Sequence, residues 1–431
     1  MSNKWKEDQE RFFLKNGALV LEQIITGFNG KCNPIRSFTE QELNEATNSY
    51  ERGRILRDDL YHTLYKGIHE DREISVKKFK RTSTVEWITN EIAIASNMSN
   101  HKHVLKLIGY CLETQLPLLV YEFAGNGILS KYIYNAANQP QELPWETKLR
   151  IATEISNAVA YVHYGTSKLI LHRNINPTNI ILGEDYVAKL LDFQLAIPIP
   201  AGEQHVYAEE ICGIMGYVAP EILSGRYTEK CDVYSFGVVL LEMLTRERVG
   251  DLGDFYELGT IIAPGDVNGS LDAAIGRVSF DKDHQSSYDF IVRKDGHDES
   301  GSNRESTYGL IAREDSDDES GSNHENGRSN YWNTYFQCCL QAVLLEEGDR
   351  QLVEFGELTL KCLKHNPDER PTMKEVSQEL RSISRRHSYA VPVDQTHQPK
   401  SQAIRSAWEG WESPWKFALS SVEVSGFAIP V

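Results

Sequence analysis

The residues of this sequence that could do chemistry are concentrated between Leu171 and Leu182. This stretch contains a histidine, an arginine and 3 asparagines, Asn174, Asn176 and Asn179. An asparagine amide donates and accepts hydrogen bonds, but it does not take up a proton near pH 7. The stretch therefore offers hydrogen-bonding groups and no carboxylate that could act as a general base.

Metal and thiol chemistry is not indicated elsewhere in the sequence. The 7 cysteines are scattered and form no C-x-x-C pair, which favours free thiols in a reducing compartment over a disulfide framework. No cysteine and histidine residues have the spacing of a zinc finger. We therefore predict neither disulfides nor a zinc site.

Length and charge restrict the class of protein. A chain of 431 residues, 40% of them hydrophobic, has room for one large two-lobed domain with tails, or for about two to three average domains. Acidic residues number 62 and basic residues 45, and the net charge of −17 argues against a nucleic-acid partner.

The hydrophobic pattern predicts a soluble, cytoplasmic protein. Residues Trp5 to Arg11 are charged and lack the apolar region of a signal peptide. The longest apolar run, Val233 to Leu244, is too short to span a bilayer. We expect no direct transmembrane segment, and we expect any association with the plasma membrane to be peripheral and through a partner.

The N-terminal residues predict helices. Two amphipathic pieces, Trp5 to Lys15 and Ala18 to Thr26, are separated by Asn16-Gly17, a pair that favours a turn. They read as a helical extension packed on the following domain, or alternatively as a helix for a partner. Thr39 and Glu42 then form a capping box, which predicts another helix start.

Two regions of the C-terminal half have the composition of disordered chain. A segment at about 281–330 is strongly acidic and contains a tandem repeat of period 20, in which Tyr288–Asn303 matches Tyr308–Asn323. We predict a disordered acidic insertion there. Residues 386–431 are polar and then carry 3 tryptophans. A disordered tail is expected, with peptide-like docking as the alternative.

Several motifs resemble those of protein kinases and occur in the kinase order. Leu171–Leu182 resembles the catalytic loop H-R-D-x-x-x-x-N, with Asn174 in place of the aspartate that accepts or orients the substrate proton. Ala188–Gln194 resembles the strand and D-F-G motif, with glutamine in place of the glycine. Ile74–Lys77 resembles V-A-I-K, and Gly216–Glu221 matches the A-P-E end of the activation segment.

The resemblance implies a fold of the α+β class with the bilobal protein-kinase-like architecture. A small β-rich N-lobe with one key helix would occupy residues 51–124, and a mostly helical C-lobe residues 125–385. Residues 1–50 would form the helical extension, and the acidic insertion would interrupt the C-lobe. Residues 386–431 would form the tail.

The resemblance also implies roles for individual residues. Lys77 would be the lysine that contacts the nucleotide phosphates, and Glu91 its ion-pair partner. Asn179 and Asp192 would be the magnesium ligands. Without the flanking motifs, Lys77 would indicate only a solvated lysine on a strand. Four further positions have structural roles by the same resemblance: Arg173, Glu221, Asp232 and Arg370, of which Glu221 and Arg370 would form a buried pair.

The departures from the kinase pattern lie around one site. Arg57, Asp59 and His62 stand at the three glycine positions of the loop that closes over the ATP phosphates. Asn176 replaces the loop lysine, and Ile214 replaces the threonine that precedes Gly-Tyr. No catalytic residue is therefore intact. We expect that no cofactor is required and that ATP and magnesium bind weakly.

The N-terminal residues and the H-R-N triplet together resemble the plant receptor-like cytoplasmic pseudokinases of the ZED/RKS-related group. This resemblance implies a non-catalytic adaptor or decoy in plant innate immune signalling. The implied partners are the leucine-rich repeats of an NLR immune receptor, receptor-like cytoplasmic kinases and pathogen effectors. The acidic insertion and the tryptophan-bearing tail depart from the family pattern.

A second function stays open at this stage. A weakly active ATP-dependent serine/threonine kinase could use Lys77, Asn179 and Asp192, with water or substrate as the proton acceptor. Phosphoryl transfer depends mainly on positioning and charge stabilisation, so the loss of the base does not by itself exclude it.

Overall fold

The structure is a computed structural model. It describes residues 3–387 except 29, 31, 32, 34, 135–142, 209, 215, 247, 249–288 and 294–349. Most of the period-20 repeat and residues 388–431, which include the 3 tryptophans of the tail, lie outside the described residues, so the predictions for them stay predictions. Among the residues that are described, no helix combines the length and the apolarity that crossing a membrane requires.

A six-stranded sheet forms the core of the small lobe, in the order β1-β5-β6-β4-β3-β2. Central strands β4 and β6 have continuous runs of buried side chains, which is typical of strands covered on both faces, whereas β5 alternates. The elements of this lobe are α1 (Asn3–Phe28), β1 (Arg36–Ser37), α2 (Glu40–Ala46), β2 (Ile55–Asp58), β3 (His62–His69), β4 (Arg72–Phe79), α3 (Val85–Met98), β5 (Leu107–Cys111) and β6 (Leu118–Glu122).

Helix α1 is continuous, and the turn predicted at Asn16-Gly17 is wrong. The Asn16 side chain is fully buried, and its Nδ2 donates to the carbonyl oxygens of Leu112 and Thr114 at 3.0 Å each. These long-range hydrogen bonds hold Asn16 in a helical conformation that its local propensity does not favour. The helix packs on α3.

The start of α2 follows the local sequence. Thr39 Oγ1 accepts from the backbone N–H of Glu42, and the Glu42 carboxylate accepts from the backbone N–H of Thr39 at 2.7 Å. This is the predicted capping box, which forms because both partners lie within one helical turn of each other.

The large lobe is mostly helical, as predicted. Helices α5 (Trp145–Tyr164) and α8 (Met373–His387) pack together, and α6 (Glu229–Thr245) packs closely on α7 (Arg350–Cys362). Gly237 of α6 permits that approach, because an added Cβ would lie 2.7 Å from Cys362 Cβ of α7. The elements are α4 (Ser130–Ile133), α5 (Trp145–Tyr164), β7 (Ile170–Leu171), β8 (Ile180–Leu182), β9 (Ala188–Leu190), β10 (Ile197–Pro198), β11 (Val206–Tyr207), β12 (Glu210–Ile214), β13 (Arg226–Tyr227), α6 (Glu229–Thr245), β14 (Asp289–Arg293), α7 (Arg350–Cys362) and α8 (Met373–His387).

One short part of the acidic insertion, residues 289–293, lies among the described residues. Strand β14 pairs antiparallel with β12 of the activation segment, with Ile214 opposite Asp289 and Glu210 opposite Arg293. The paired segment contains phenylalanine, isoleucine and valine, residue types that favour strands. The disorder predicted for the insertion as a whole stays a prediction, because most of it lies outside the described residues.

We expect Asn16→Ala to lower the free energy of unfolding by about 1–3 kcal/mol, because two carbonyl oxygens lose their donor. Lys15→Ala is the matched control, since Lys15 is the exposed neighbour on the same helix and should change stability by less than about 0.5 kcal/mol. Urea denaturation followed by circular dichroism measures both. Equal stability of the two variants would contradict the role assigned to the Asn16 amide.

Candidate functional site

Three buried charged side chains connect the two lobes. Lys77 Nζ on β4 lies 2.9 and 2.8 Å from the two carboxylate oxygens of Glu91 on α3. The same nitrogen lies 2.8 Å from Asp192 Oδ1, which follows β9 in the large lobe. All three side chains are at most 2% exposed. The structure thus brings together three of the four residues of the expected nucleotide site.

Burial and the attraction between opposite charges have opposing effects on the pKa values of these three groups. Burial would lower the pKa of Lys77, but the Asp192 and Glu91 carboxylates together hold that pKa above its ordinary value. Burial raises the pKa of Glu91. Burial would also raise the pKa of Asp192, but Lys77 and then Arg57 bring it below its ordinary value. Lys77 is therefore a firmly charged cation between two acids.

The asparagines of the catalytic loop bond to one another. Asn176 Nδ2 donates to the Asn174 backbone oxygen and to Asn174 Oδ1, both at 3.0 Å. Asn179 Nδ2 donates to the same Asn174 backbone oxygen at 2.9 Å. Asn176 Oδ1 accepts from the backbone N–H and the hydroxyl of Thr178 at 2.9 and 2.6 Å. The amides at the base and loop-lysine positions therefore form a closed hydrogen-bonded cluster.

The fourth expected residue, Asn179, is bound by an arginine. Arg57 of β2 donates from Nη1 to Asn179 Oδ1 and to the Thr178 carbonyl oxygen, both at 2.8 Å. Its Nη2 lies 3.3 Å from the Thr178 hydroxyl, and its Nε lies 2.9 Å from Asp59. Arg57 stands at a glycine position of the kinase loop, so a side chain now crosses the path that ATP phosphates would take.

The residues present do not fit a magnesium ion in this arrangement. The two residues that match magnesium ligands are both engaged by cations of the chain: Asn179 Oδ1 accepts a hydrogen bond from Arg57, and Asp192 Oδ1 accepts one from Lys77. A magnesium ion needs near-octahedral oxygen ligation and would compete with both cations. Among the described residues there is also no group of 3 or more His, Cys, Asp or Glu side chains arranged to hold a metal ion.

His62, at the last glycine position, is a buried neutral histidine. It is 1% exposed, its Nδ1 lies 3.3 Å from Asp59 Oδ1, and neither ring nitrogen makes a well-aligned hydrogen bond. Burial first, and then the nearby charges of Lys77, Arg57 and Lys80, hold the pKa of His62 well below its ordinary value. Its ring packs against Phe79 with centroids 6.1 Å apart.

The segment after Asp192 is tied to the small lobe. Asn90 of α3 donates from Nδ2 to the carbonyl oxygens of Gln194 and Ala196 at 3.3 and 2.8 Å. Asp192 itself has a positive φ of 72°, whereas the φ of Gln194 is not positive. Ile214, at the threonine position of active kinases, is 6% exposed and packs in the core.

Two further buried groups support the loop and the large lobe. Asp232 of α6 accepts from the backbone N–H groups of His172 and Arg173 at 2.8 and 2.9 Å. Arg370 is 2% exposed and donates to both carboxylate oxygens of Glu221 at 2.6 and 2.9 Å. Its remaining donors bind carbonyl oxygens, so this buried pair is fully hydrogen-bonded.

Sequence reasoning missed three contacts of this site. Nothing in the local pattern indicates that the Arg57 guanidinium reaches Asn179. The Tyr121 hydroxyl donates to Glu91 Oε1 at 2.6 Å, and no motif predicts that bond. The Asn90 contact with the segment after Asp192 is likewise not indicated by any motif.

Stability should fall on acidification partly through His62. Its pKa is below the unfolded value of about 6.5, so the unfolded chain binds the proton first and native stability decreases as the pH falls below that value. We expect this group to account for about 1.4 kcal/mol between pH 7.5 and 5.5. His62→Phe, which keeps an aromatic ring against Phe79, should remove that contribution.

Urea denaturation of both proteins at several pH values measures the difference in slope. If His62 is neutral in the native state, the free energy of unfolding falls less steeply towards acid pH in the variant than in the wild type. Curves that stay parallel between pH 7.5 and 5.5 would contradict this role of His62, and a constant offset between them would report only the change in packing.

Comparison with known proteins agrees with this geometry. Residues 60–257 match the family described as protein kinase domain. The chain is 41% identical over 246 residues to the non-functional pseudokinase ZED1 of Arabidopsis thaliana, covering 56% of this chain and 73% of that protein. It is 36% identical over 277 residues to the non-functional pseudokinase ZRK2 of the same plant, covering 62% and 77%.

A third relative carries a different description. The serine/threonine-protein kinase ZRK1 of Arabidopsis thaliana is 35% identical over 286 residues, which cover 64% of this chain and 81% of that protein. The shared motifs, the two-lobed fold and these identities over most of each relative's length lead to one conclusion. The chain belongs to the protein kinase superfamily and, within it, to the plant group that contains ZED1, ZRK1 and ZRK2.

Proposed function

We propose that this protein is a pseudokinase that acts by binding other proteins and not by transferring phosphate. The closed amide cluster of Asn174, Asn176 and Asn179 carries the proposal. At the place where a kinase has its base, the side-chain oxygen of Asn174 accepts a hydrogen bond from Asn176 and has no capacity to take a proton from a substrate hydroxyl.

The nucleotide site supports the same function. Arg57 donates a hydrogen bond to the side-chain oxygen of Asn179, and Lys77 is bound to the carboxylates of both Glu91 and Asp192. A triphosphate would have to displace the arginine and share the lysine. We therefore propose that no cofactor is required and that ATP and magnesium bind weakly.

The scaffold, in contrast, is complete, which suits a protein that presents surfaces. The Lys77–Glu91 pair, the Glu221–Arg370 pair and the Asp232 anchor are all formed. By its similarity to the ZED1 group we propose an adaptor or decoy in plant innate immune signalling. It would bridge the leucine-rich repeats of an NLR immune receptor and receptor-like cytoplasmic kinases, with pathogen effectors as further partners. We propose a cytoplasmic location, with peripheral association at the plasma membrane through these partners.

A weak serine/threonine kinase is the second candidate function. Two observations favour it: Lys77, Glu91 and Asp192 keep the contacts expected of a kinase site, and the relative ZRK1 is described as a serine/threonine-protein kinase. In this function a water or the substrate itself would accept the proton.

Labelled ATP distinguishes the two functions. The purified full chain is incubated with ATP carrying a labelled γ-phosphate, with Mg²⁺ or Mn²⁺, and compared with Asp192→Ala. We expect no incorporation above that of the variant, because the base, the loop lysine and the glycine loop are all absent. Incorporation that Asp192→Ala abolishes would overturn the pseudokinase proposal and establish the weak kinase.

Co-purification tests the adaptor function. Tagged full chain expressed in plant tissue should recover an NLR receptor or a receptor-like cytoplasmic kinase, and Lys77→Met should lower the yield only as far as it lowers folding. Folding of the variant is checked by its melting temperature. If neither class of protein is enriched over an unrelated tagged kinase domain, the bridging proposal fails.

A further inference from the structure

Arg57, at the first of the three former glycine positions, reaches the large lobe. Strand β2 holds its backbone, because Arg57 pairs with Leu64 of β3. The side chain is 11% exposed. From that position it makes three hydrogen bonds to Thr178 and Asn179, at 2.8, 2.8 and 3.3 Å.

The guanidinium is held in place from its own lobe as well. Asp59 Oδ2 forms an ion pair with Arg57 and lies 2.9 Å from its Nε. Asp59 Oδ1 accepts hydrogen bonds from the backbone N–H groups of Tyr61 and His62 at 2.9 and 2.8 Å. The carboxylate is thus fixed by the turn between β2 and β3, and it orients the planar guanidinium towards the large lobe. A rigid, multiply bonded arginine retains its geometry better than a solvated one.

The guanidinium contacts a residue that would bind a metal in an active kinase. Asn179 is the residue that matches the second magnesium ligand of kinases, and its Oδ1 accepts from Arg57. The positive charge of Arg57 also lowers the pKa of Asp192, the residue that matches the other magnesium ligand. A fixed cation of the chain therefore acts on both of these residues.

We propose that Arg57 is a built-in substitute for the magnesium ion, a latch that joins the small lobe to Thr178 and Asn179 and closes the nucleotide site from within. In active kinases the bound nucleotide and its metal connect the lobes. Here the connection belongs to the chain itself, so the lobes stay together without a ligand. The latch and magnesium-bound ATP compete for the same oxygen atoms.

This inference goes beyond the proposed function, because a latch can exclude nucleotide whether or not the open site would transfer phosphate. It has a quantitative consequence. If the latch leaves at most about one molecule in ten open, the apparent affinity for magnesium-bound ATP is reduced about tenfold, and removal of the latch restores it.

Isothermal titration of the full chain with ATP and Mg²⁺ tests the latch. Arg57→Gly restores the residue type that kinases have at this position, and we expect it to bind at least about tenfold more tightly than the wild type. The gain should disappear when EDTA replaces Mg²⁺. Arg72→Gly is the matched control, since it removes an exposed arginine from strand β4 and should leave the affinity unchanged.

Hydrogen exchange gives a second, ligand-free measurement. Without Arg57, the backbone amides from Thr178 to Leu182 should exchange several-fold faster, whereas Arg72→Gly should leave them unchanged. Arg57→Gln, which retains a polar side chain without the charge, serves if the glycine variant is unstable, and the same gain in affinity is expected.

The outcomes separate this inference from the proposed function. Equal affinity of the wild type and both Arg57 variants for ATP and Mg²⁺, together with unchanged exchange at residues 178–182, would overturn the latch. Phosphate transfer by the wild type would overturn the pseudokinase proposal and leave the latch standing. Tighter binding by Arg57→Gly without transfer would support both.

Discussion

The structure depends on one buried ammonium group shared by two carboxylates. Lys77 binds Glu91 of α3 and Asp192 of the large lobe, and none of the three side chains reaches solvent to any extent. A buried charge without a partner costs several kcal/mol, so the loss of Lys77 would leave two stranded acids. The distances between β4, α3 and the segment after β9 are therefore restricted by electrostatics. The Tyr121 hydroxyl adds a further hydrogen bond to Glu91 and fixes its orientation.

Around this intact cluster, the groups that would do chemistry have been replaced by groups that satisfy one another. A kinase loop keeps a carboxylate free for the substrate, whereas Asn174 and Asn176 are hydrogen-bonded to each other, and Asn176 also accepts a hydrogen bond from Thr178. A kinase site leaves its metal ligands open, whereas Arg57 occupies Asn179. Buried polar groups are costly when unpaired, and an internal partner removes the need for a ligand. The same substitutions thus remove the proton acceptor from the base position and give the remaining polar groups partners within the chain.

Local signals were reliable where both partners of an interaction lie close in the chain. The capping box of Thr39 and Glu42 is confirmed, and so is the two-lobed α+β fold, which the ordered motifs indicated. Local signals failed where a distant contact overrode them. Asn16-Gly17 favours a turn, but hydrogen bonds to residues about a hundred positions away keep it helical.

Residue identity alone specifies which chemical groups are present: an amide at the base position, an arginine, an aspartate and a histidine where glycines would stand, and a lysine, a glutamate and an aspartate in kinase order. These identities establish the family and the missing proton acceptor, because residue type alone decides whether a side chain can take a proton. The contacts that these groups make with one another depend on the fold. The Arg57 guanidinium lies against Asn179 because folding brings β2 over a loop more than a hundred residues away, and no local pattern specifies where a long, flexible side chain ends.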